Sequence, residues 1–143
     1  MSGATEGARV ALVTGAAGGI GGAVVRGLRA DGLTVVAADH VAIADDPDSL
    51  AADLADPAAP AQLVAATVAR FGRLDVLVNV AGVMIFKPIA AHAAADWQRV
   101  LAVNLVAPAL LTAAAWPVLR AGASIIHIAS VHARRTSPDV ASY

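Results

Sequence analysis

Val10-Ala11-Leu12-Val13-Thr14-Gly15-Ala16-Ala17-Gly18-Gly19-Ile20-Gly21 holds three kinds of segment in twelve residues. The first five are apolar or β-prone and read as a buried strand. A glycine cluster follows, and then Ile20, Val24 and Leu28 recur at helical spacing until Gly32 stops the pattern. Strand, glycine turn and helix in that order open an alternating α/β fold.

The same alternation continues outward. Leu33 to Ala38 reads as a second strand, and Leu50 to Asp53 as a short one. Asp56-Pro57 has the form of a helix N-cap followed by proline at the first helical position. Val64, Val68 and Phe71 form a stripe that Gly72 ends. Leu74 to Asn79 is a further strand, Asp96 to Leu119 a long helix, and Ser124 to Ala129 the last strand. Strands separated by helices require right-handed crossovers and a parallel sheet covered on both faces. The expected fold is therefore α/β, a Rossmann-type doubly wound parallel sheet of about five strands. A short tail, residues 1–8, precedes a partial dinucleotide-binding domain, residues 9–143. Such sheets bind ligands beyond the carboxyl ends of their strands. Those ends carry Gly15 to Gly22, Asp39, Asp53, Asn79 to Gly82, and Ser130.

Composition narrows the function classes. The chain has 143 residues, 58% hydrophobic and 15% charged, and 37 of them are alanine. It can bury a core, which excludes simple disorder. A net charge of −1 gives no footprint for nucleic acid. The absence of cysteine excludes disulfides, thiolate metal sites and a cysteine nucleophile. His40, His92 and His132 show no ligand spacing, so no metal is expected. Met1 to Arg9 has no apolar core and is not a secretory signal, so the expected compartment is the cytoplasm. Val100 to Leu119 is long enough to span a membrane, but Asn104, Pro108, Thr112 and Pro117 favour a helix buried on most sides. No membrane partner is expected.

The glycine loop carries the first chemical argument. Glycine allows positive φ, close approach to a ligand and tight packing of helix on strand. The helix that starts near Gly19 aims its free N–H groups and dipole at the loop, a ready site for pyrophosphate. Asp39 ends the next strand, 18 residues after Gly21, where a carboxylate can accept hydrogen bonds from both ribose hydroxyls of an adenosine. A 2′-phosphate there, with a charge of about −1.5 to −2, would be repelled by up to about 4 kcal/mol per charge pair at 4 Å. No Arg or Lys follows Asp39 directly, so NAD is favoured and NADP is less suited.

Thr14-Gly15-x-x-x-Gly19-Ile20-Gly21, Asn79-Val80-Ala81-Gly82, Asn104, and Ser130 with Tyr143 thirteen residues later resemble the short-chain dehydrogenase/reductase family. The motifs run in family order from Val10 to Tyr143. The resemblance implies an NAD(P)-dependent oxidoreductase that moves a hydride between an alcohol or ketone and nicotinamide. It implies that Thr14, Gly15, Gly19, Ile20 and Gly21 form the dinucleotide loop and that Asp39 is the acid that prefers NAD. Asp53 and Leu54 would meet adenine, and Asn79, Ala81 and Gly82 would line the cofactor. Val80 stands where the family has a second Asn. Ser130 would donate to the substrate carbonyl, Tyr143 would be the general acid/base, and Asn104 would hold a relay water. Family members often assemble through the long helix, which implies a homo-oligomer.

A phenol with a pKa of about 10 is ionised in about one molecule in a thousand at pH 7. The family lowers that value with a lysine four residues after the tyrosine, a position beyond Tyr143. From this and the five visible strands we expect the front part of a larger domain, truncated at the tyrosine, with little turnover of its own. The alternative is a catalytically silent NAD-binding regulatory or interaction module.

Other conspicuous residues have plainer readings. His127 alternates with Ile126 and Ile128 and reads as a core histidine; Asp45, Asp46 and Asp48 read as a solvated loop. Arg134 and Arg135 read as a surface pair, and Trp97 and Trp116 as packing anchors of the long helix.

Overall fold

The computed structural model describes residues 7–143; the first six residues of the expected tail lie outside that range. Five strands, β1 (Val10–Thr14), β2 (Thr34–Asp39), β3 (Ser49–Ala51), β4 (Leu74–Asn79) and β5 (Leu119–His127), form one sheet in the order β3-β2-β1-β4-β5. Every pairing is parallel. The crossover helices are α1 (Gly19–Ala30), α2 (Ala59–Phe71) and a long helix built from α3 (Ala94–Leu101), a π turn (Ala102–Val106) and α4 (Ala107–Ala115).

Strand alternation sorts the core into two layers. On one face Leu12, Val36, Leu74 and Leu77 meet Leu63 and Val64 of α2 and Leu111 and Ala115 of α4. On the other Ala11, Val13, Val35, Val76 and Val78 meet Val25 of α1. Leu12, Leu77 and Leu111 are completely buried, so each contributes about 2 kcal/mol through loss of apolar area to water. The central strands are thus apolar throughout because both faces are covered, as the sequence implied.

Several local expectations are corrected. α2 starts at Ala59, not after Pro57: Asp56 Oδ1 accepts the Ala58 N–H at 2.9 Å, and the Asp56 carbonyl accepts the Ala59 N–H. Asp56 therefore closes a turn before the helix, and Pro60 takes the first-turn position. In α1 Val24 and Leu28 pack against the core as expected and Val25 is buried between them, while Ile20 is 61% exposed above the carboxyl edge of the sheet. β5 begins five residues early and ends at His127, because positive φ at Gly122 and a register shift opposite Leu74 to Val76 let its first part pair. The long helix is not buried on most sides. Val100, Val103, Ala107, Leu111 and Ala115 make one buried stripe, whereas Leu105 and Trp116 are exposed. Trp97 is half-buried against His92, but Trp116 anchors nothing at 74% exposure. The helix is long and apolar enough to cross a membrane by length and composition, with a mean hydropathy of 1.7 over Ala94–Val118.

β5 lies at the sheet edge, and His127 on it is exposed rather than a core residue. Asp46 and Asp48 are not merely solvated: they pair with Arg29 at 2.9 Å and Arg70 at 2.7 Å. Asp45 is exposed with φ +59°, and Arg134 and Arg135 are exposed.

The sheet is tied at its opposite end by an ion pair that sequence reading passed over. Asp75 is buried, accepts the Val10 N–H at 2.8 Å and takes Arg73 Nε and Nη2 at 2.7 and 2.8 Å. Burial alone would raise its pKa, but the Arg73 bonds and the Val10 N–H outweigh it and hold the carboxyl below its ordinary value. A depressed folded-state pKa gives stability that is present above the unfolded value of about 3.9 and is lost as pH falls through the folded one. Asp75→Ala should cost about 2 kcal/mol in urea unfolding near neutral pH, because it leaves the buried Val10 N–H without its acceptor. It should also flatten the decline in stability below about pH 4. Equal acid sensitivity in both proteins would show that the pair does not carry that dependence.

Candidate active site

The carboxyl ends of β1 to β4 open into a cleft of about 580 Å³. Its floor is the turn after β1. Gly15 sits at φ +67°, and a Cβ there would lie 2.7 Å from the Ala81 backbone. A Cβ on Gly21 would lie 2.1 Å from the Gly15 carbonyl oxygen, so α1 can approach β1 only without one. Gly19 differs: a Cβ there meets no atom within 4 Å and would stand in open space along the cleft. Gly18 offers no side-chain cap, and the first turn of α1 holds no acid. The positive end of the helix is left for an anion.

Thr14, buried at the end of β1, accepts the N–H groups of Val80 at 3.2 Å and Ala81 at 3.3 Å. One hydroxyl thereby joins the two central strand ends. Val80 packs on the α1-side core, which suits the apolar side chain at this position. On the other side of β1, Asp39 Oδ2 accepts the Ala17 N–H at 3.0 Å, and Oδ1 accepts the His40 N–H at 2.7 Å and meets His40 Nδ1. The carboxylate is aimed at the glycine loop by these bonds.

Asp53 follows β3. Its Oδ1 accepts the Ala55 N–H at 3.0 Å, and both oxygens lie 2.9 Å from Arg99 Nη1. The Arg99 hydrogen bonds, and then the Ala55 N–H, hold its carboxyl below the ordinary value. Leu54, Leu63 and Val103 line the cleft beside this pair.

Thr14, Gly15, Gly19, Ile20, Gly21, Asp39, Asp53, Leu54, Ala81 and Gly82 all line the one cleft. Asn79, Asn104, Ser130 and Tyr143 do not line it. Asn79 is buried at the end of β4, with Nδ2 3.2 Å from His127 Nδ1 and Oδ1 without a partner. Asn104 sits in the π turn. Its Oδ1 accepts the Val83 N–H at 2.8 Å, and its Nδ2 donates to the Val83 carbonyl at 2.9 Å. Its side chain thus ties the long helix to the segment after β4. Ser130 Oγ accepts the His132 N–H at 3.2 Å, and the His132 ring meets the Tyr143 ring edge-on at 5.6 Å. Ser130 and Tyr143 are therefore brought to one segment, with His132 between them.

Leu63, Val103, Arg99, Ala17 and His40 also line the cleft and were not singled out. Leu63 and Val103 look like ordinary core positions of amphipathic helices. Arg99 is separated from Asp53 by 46 residues, so no local spacing shows the pair. No group of His, Asp or Glu able to hold a metal occurs among the described residues.

A family model described as short chain dehydrogenase matches residues 9–143. The chain belongs to the short-chain dehydrogenase family. It is 41% identical over 144 residues to a 3-alpha-(or 20-beta)-hydroxysteroid dehydrogenase of Mycobacterium tuberculosis, covering 92% of this chain and 54% of that protein. A 3-ketoacyl-(acyl-carrier-protein) reductase from Brucella melitensis, solved with NADH, superposes with a TM-score of 0.84 at 27% identity, covering 94% of this chain and 62% of that one. A blue fluorescent protein from a metagenomic library, solved with NADPH, gives 0.81 at 32% identity, covering 92% and 60%. This short-chain dehydrogenase thus spans a little over half to about three fifths of the length of these relatives.

The three glycines of the family loop separate by experiment. Gly21→Ala should cost about 3 kcal/mol or more in urea unfolding, because its Cβ meets rigid backbone, and Gly15→Ala should destabilise similarly through overlap and positive φ. Gly19→Ala should stay within about 1 kcal/mol of the parent, since alanine suits a helix better than glycine. Equal losses at all three would contradict the geometry.

Proposed function

We propose that this short-chain dehydrogenase binds NAD in the cleft, in preference to NADP, and that it belongs to an oxidoreductase acting on a small alcohol or ketone. One observation carries the reading: the order of chemical groups along the carboxyl edge. Across the sheet from β3 to β5 the strand ends present Asp53, Asp39, the Gly15–Gly21 loop, Ala81 with Gly82, and then Ser130. That succession suits an adenine, a ribose diol, a pyrophosphate and a nicotinamide riboside in their covalent order, with a substrate oxygen beyond the nicotinamide.

The residues fit a dinucleotide on structural grounds. The missing Cβ of Gly19 leaves room along the cleft, the uncapped helix end offers N–H donors, and Asn79 Oδ1 is a buried acceptor with no partner. Gly15 to Gly21 would hold the pyrophosphate and Asp39 the ribose hydroxyls. Arg99 is the only Arg or Lys among the lining residues, and its Nη1 is engaged by Asp53, so a 2′-phosphate beside Asp39 would meet a carboxylate with little compensating charge. Bound NAD supplies the hydride acceptor or donor. Ser130 would donate a hydrogen bond to the substrate oxygen, and the Tyr143 hydroxyl would give or take its proton. Asn104 would keep the long helix registered against Val83.

Titration calorimetry tests the reading. The folded chain should bind NAD more tightly than NADP. Asp39→Ala should lower the NAD-over-NADP ratio at least tenfold, because it removes both the diol acceptor and the repulsion of phosphate. Gly19→Ala should weaken NAD while leaving the unfolding midpoint in place. A folded chain that takes up neither dinucleotide would overturn the proposal.

A further inference from the structure

The ion pair between Asp53 and Arg99 lies where the dinucleotide reading places the base, and this inference rests on that reading. Asp53 belongs to the segment after β3, and Arg99 to α3 on the far wall. The two are otherwise joined only through the body of the fold, so the pair is a bar across the β3 end of the cleft. Both side chains are well exposed, 54% for Asp53 and 41% for Arg99. An exposed pair of this kind contributes little to folding and immobilises two flexible side chains. Its effect is therefore geometric.

Only Nη1 of Arg99 touches Asp53, and it reaches both oxygens at 2.9 Å. Nε and Nη2 have no hydrogen-bond partner among the described residues. Asp53 is fixed from the opposite side by the Ala55 N–H. Behind the bar Leu54, Leu63 and Val103 give apolar walls, suited to a flat heteroaromatic ring.

We propose that Arg99 is a positioning residue for the adenine end of the dinucleotide: by holding Asp53 it fixes the Asp53–Leu54 wall against which the base packs. The pair separates two halves of one ligand. AMP and NAD carry the base, whereas nicotinamide mononucleotide does not and reaches only the far half of the cleft.

The experiment measures the affinities of the full chain for NAD, AMP and nicotinamide mononucleotide by calorimetry, with the thermal midpoint of each variant as a folding control. Arg99→Ala should weaken NAD and AMP about tenfold, leave nicotinamide mononucleotide within twofold, and leave the midpoint in place. Arg99→Lys should restore most of the loss, since it keeps a cation on Asp53. Asp53→Asn should produce a similar loss, and Arg99→Ala added to it should cost little more, because one interaction cannot be removed twice. AMP binding unchanged by Arg99→Ala would overturn the inference while leaving the dinucleotide reading intact. An equal loss for all three ligands, or additive losses in the double variant, would also overturn it by marking a general structural effect. Failure of the parent chain to bind NAD and AMP would overturn the dinucleotide reading itself, and the inference with it.

Discussion

The carboxyl edge of the sheet is organised around the contact of Gly15 with Ala81, where two backbones approach so closely that a single Cβ would lie 2.7 Å from the opposing chain. That approach turns the chain after β1 back under α1, brings Gly21 against the Gly15 carbonyl, and leaves the helix end open toward the cleft. Thr14 holds the same junction from beneath by accepting two N–H groups from the β4 turn. The glycine loop is therefore a packing device as much as a ligand cradle. Gly15 and Gly21 are demanded by the protein, and Gly19 by the space beside it.

This division explains what could be read in the sequence and what could not. The strand cores, the glycine turn, the helix stops at Gly32 and Gly72 and the acid at Asp39 depend on local chemistry, which residue types announce directly. Ten proposed cofactor residues line one cleft because each sits at or just beyond a strand end, and strand ends follow from the alternation pattern. The boundaries that were misplaced depend on competition between neighbouring local structures. Asp56 could start a helix or close a turn, and it closes a turn. β5 could begin only after its glycine, but positive φ at Gly122 lets it begin earlier.

Long-range carboxylate contacts were illegible for a different reason. Asp75 with the Val10 N–H, and Asp53 with Arg99, each join elements that only the fold brings together. Before folding, nothing marks Arg99 as the partner of an aspartate 46 residues away. His127 was misread through the opposite error: alternation with isoleucines marks a buried strand only where both faces are covered, and β5 is an edge strand. Covering is a property of the sheet, not of the strand.

The same sheet order sets the cleft apart from the serine–tyrosine segment. The cleft is lined from β1, the glycine loop and first turn of α1, β2, the segments after β3 and β4, α2 and the long helix; β5 and the residues after it contribute nothing to it. Ser130 and Tyr143 instead share a short segment organised around His132, which donates its N–H to Ser130 and packs its ring on Tyr143. The two regions meet at the end of β4, where Asn79 pairs with Thr14 on one side and His127 on the other while keeping a buried oxygen unpaired. Asn79 is thereby the residue through which the ladder passes from the strand under the glycine loop to the strand that leads into the serine–tyrosine segment.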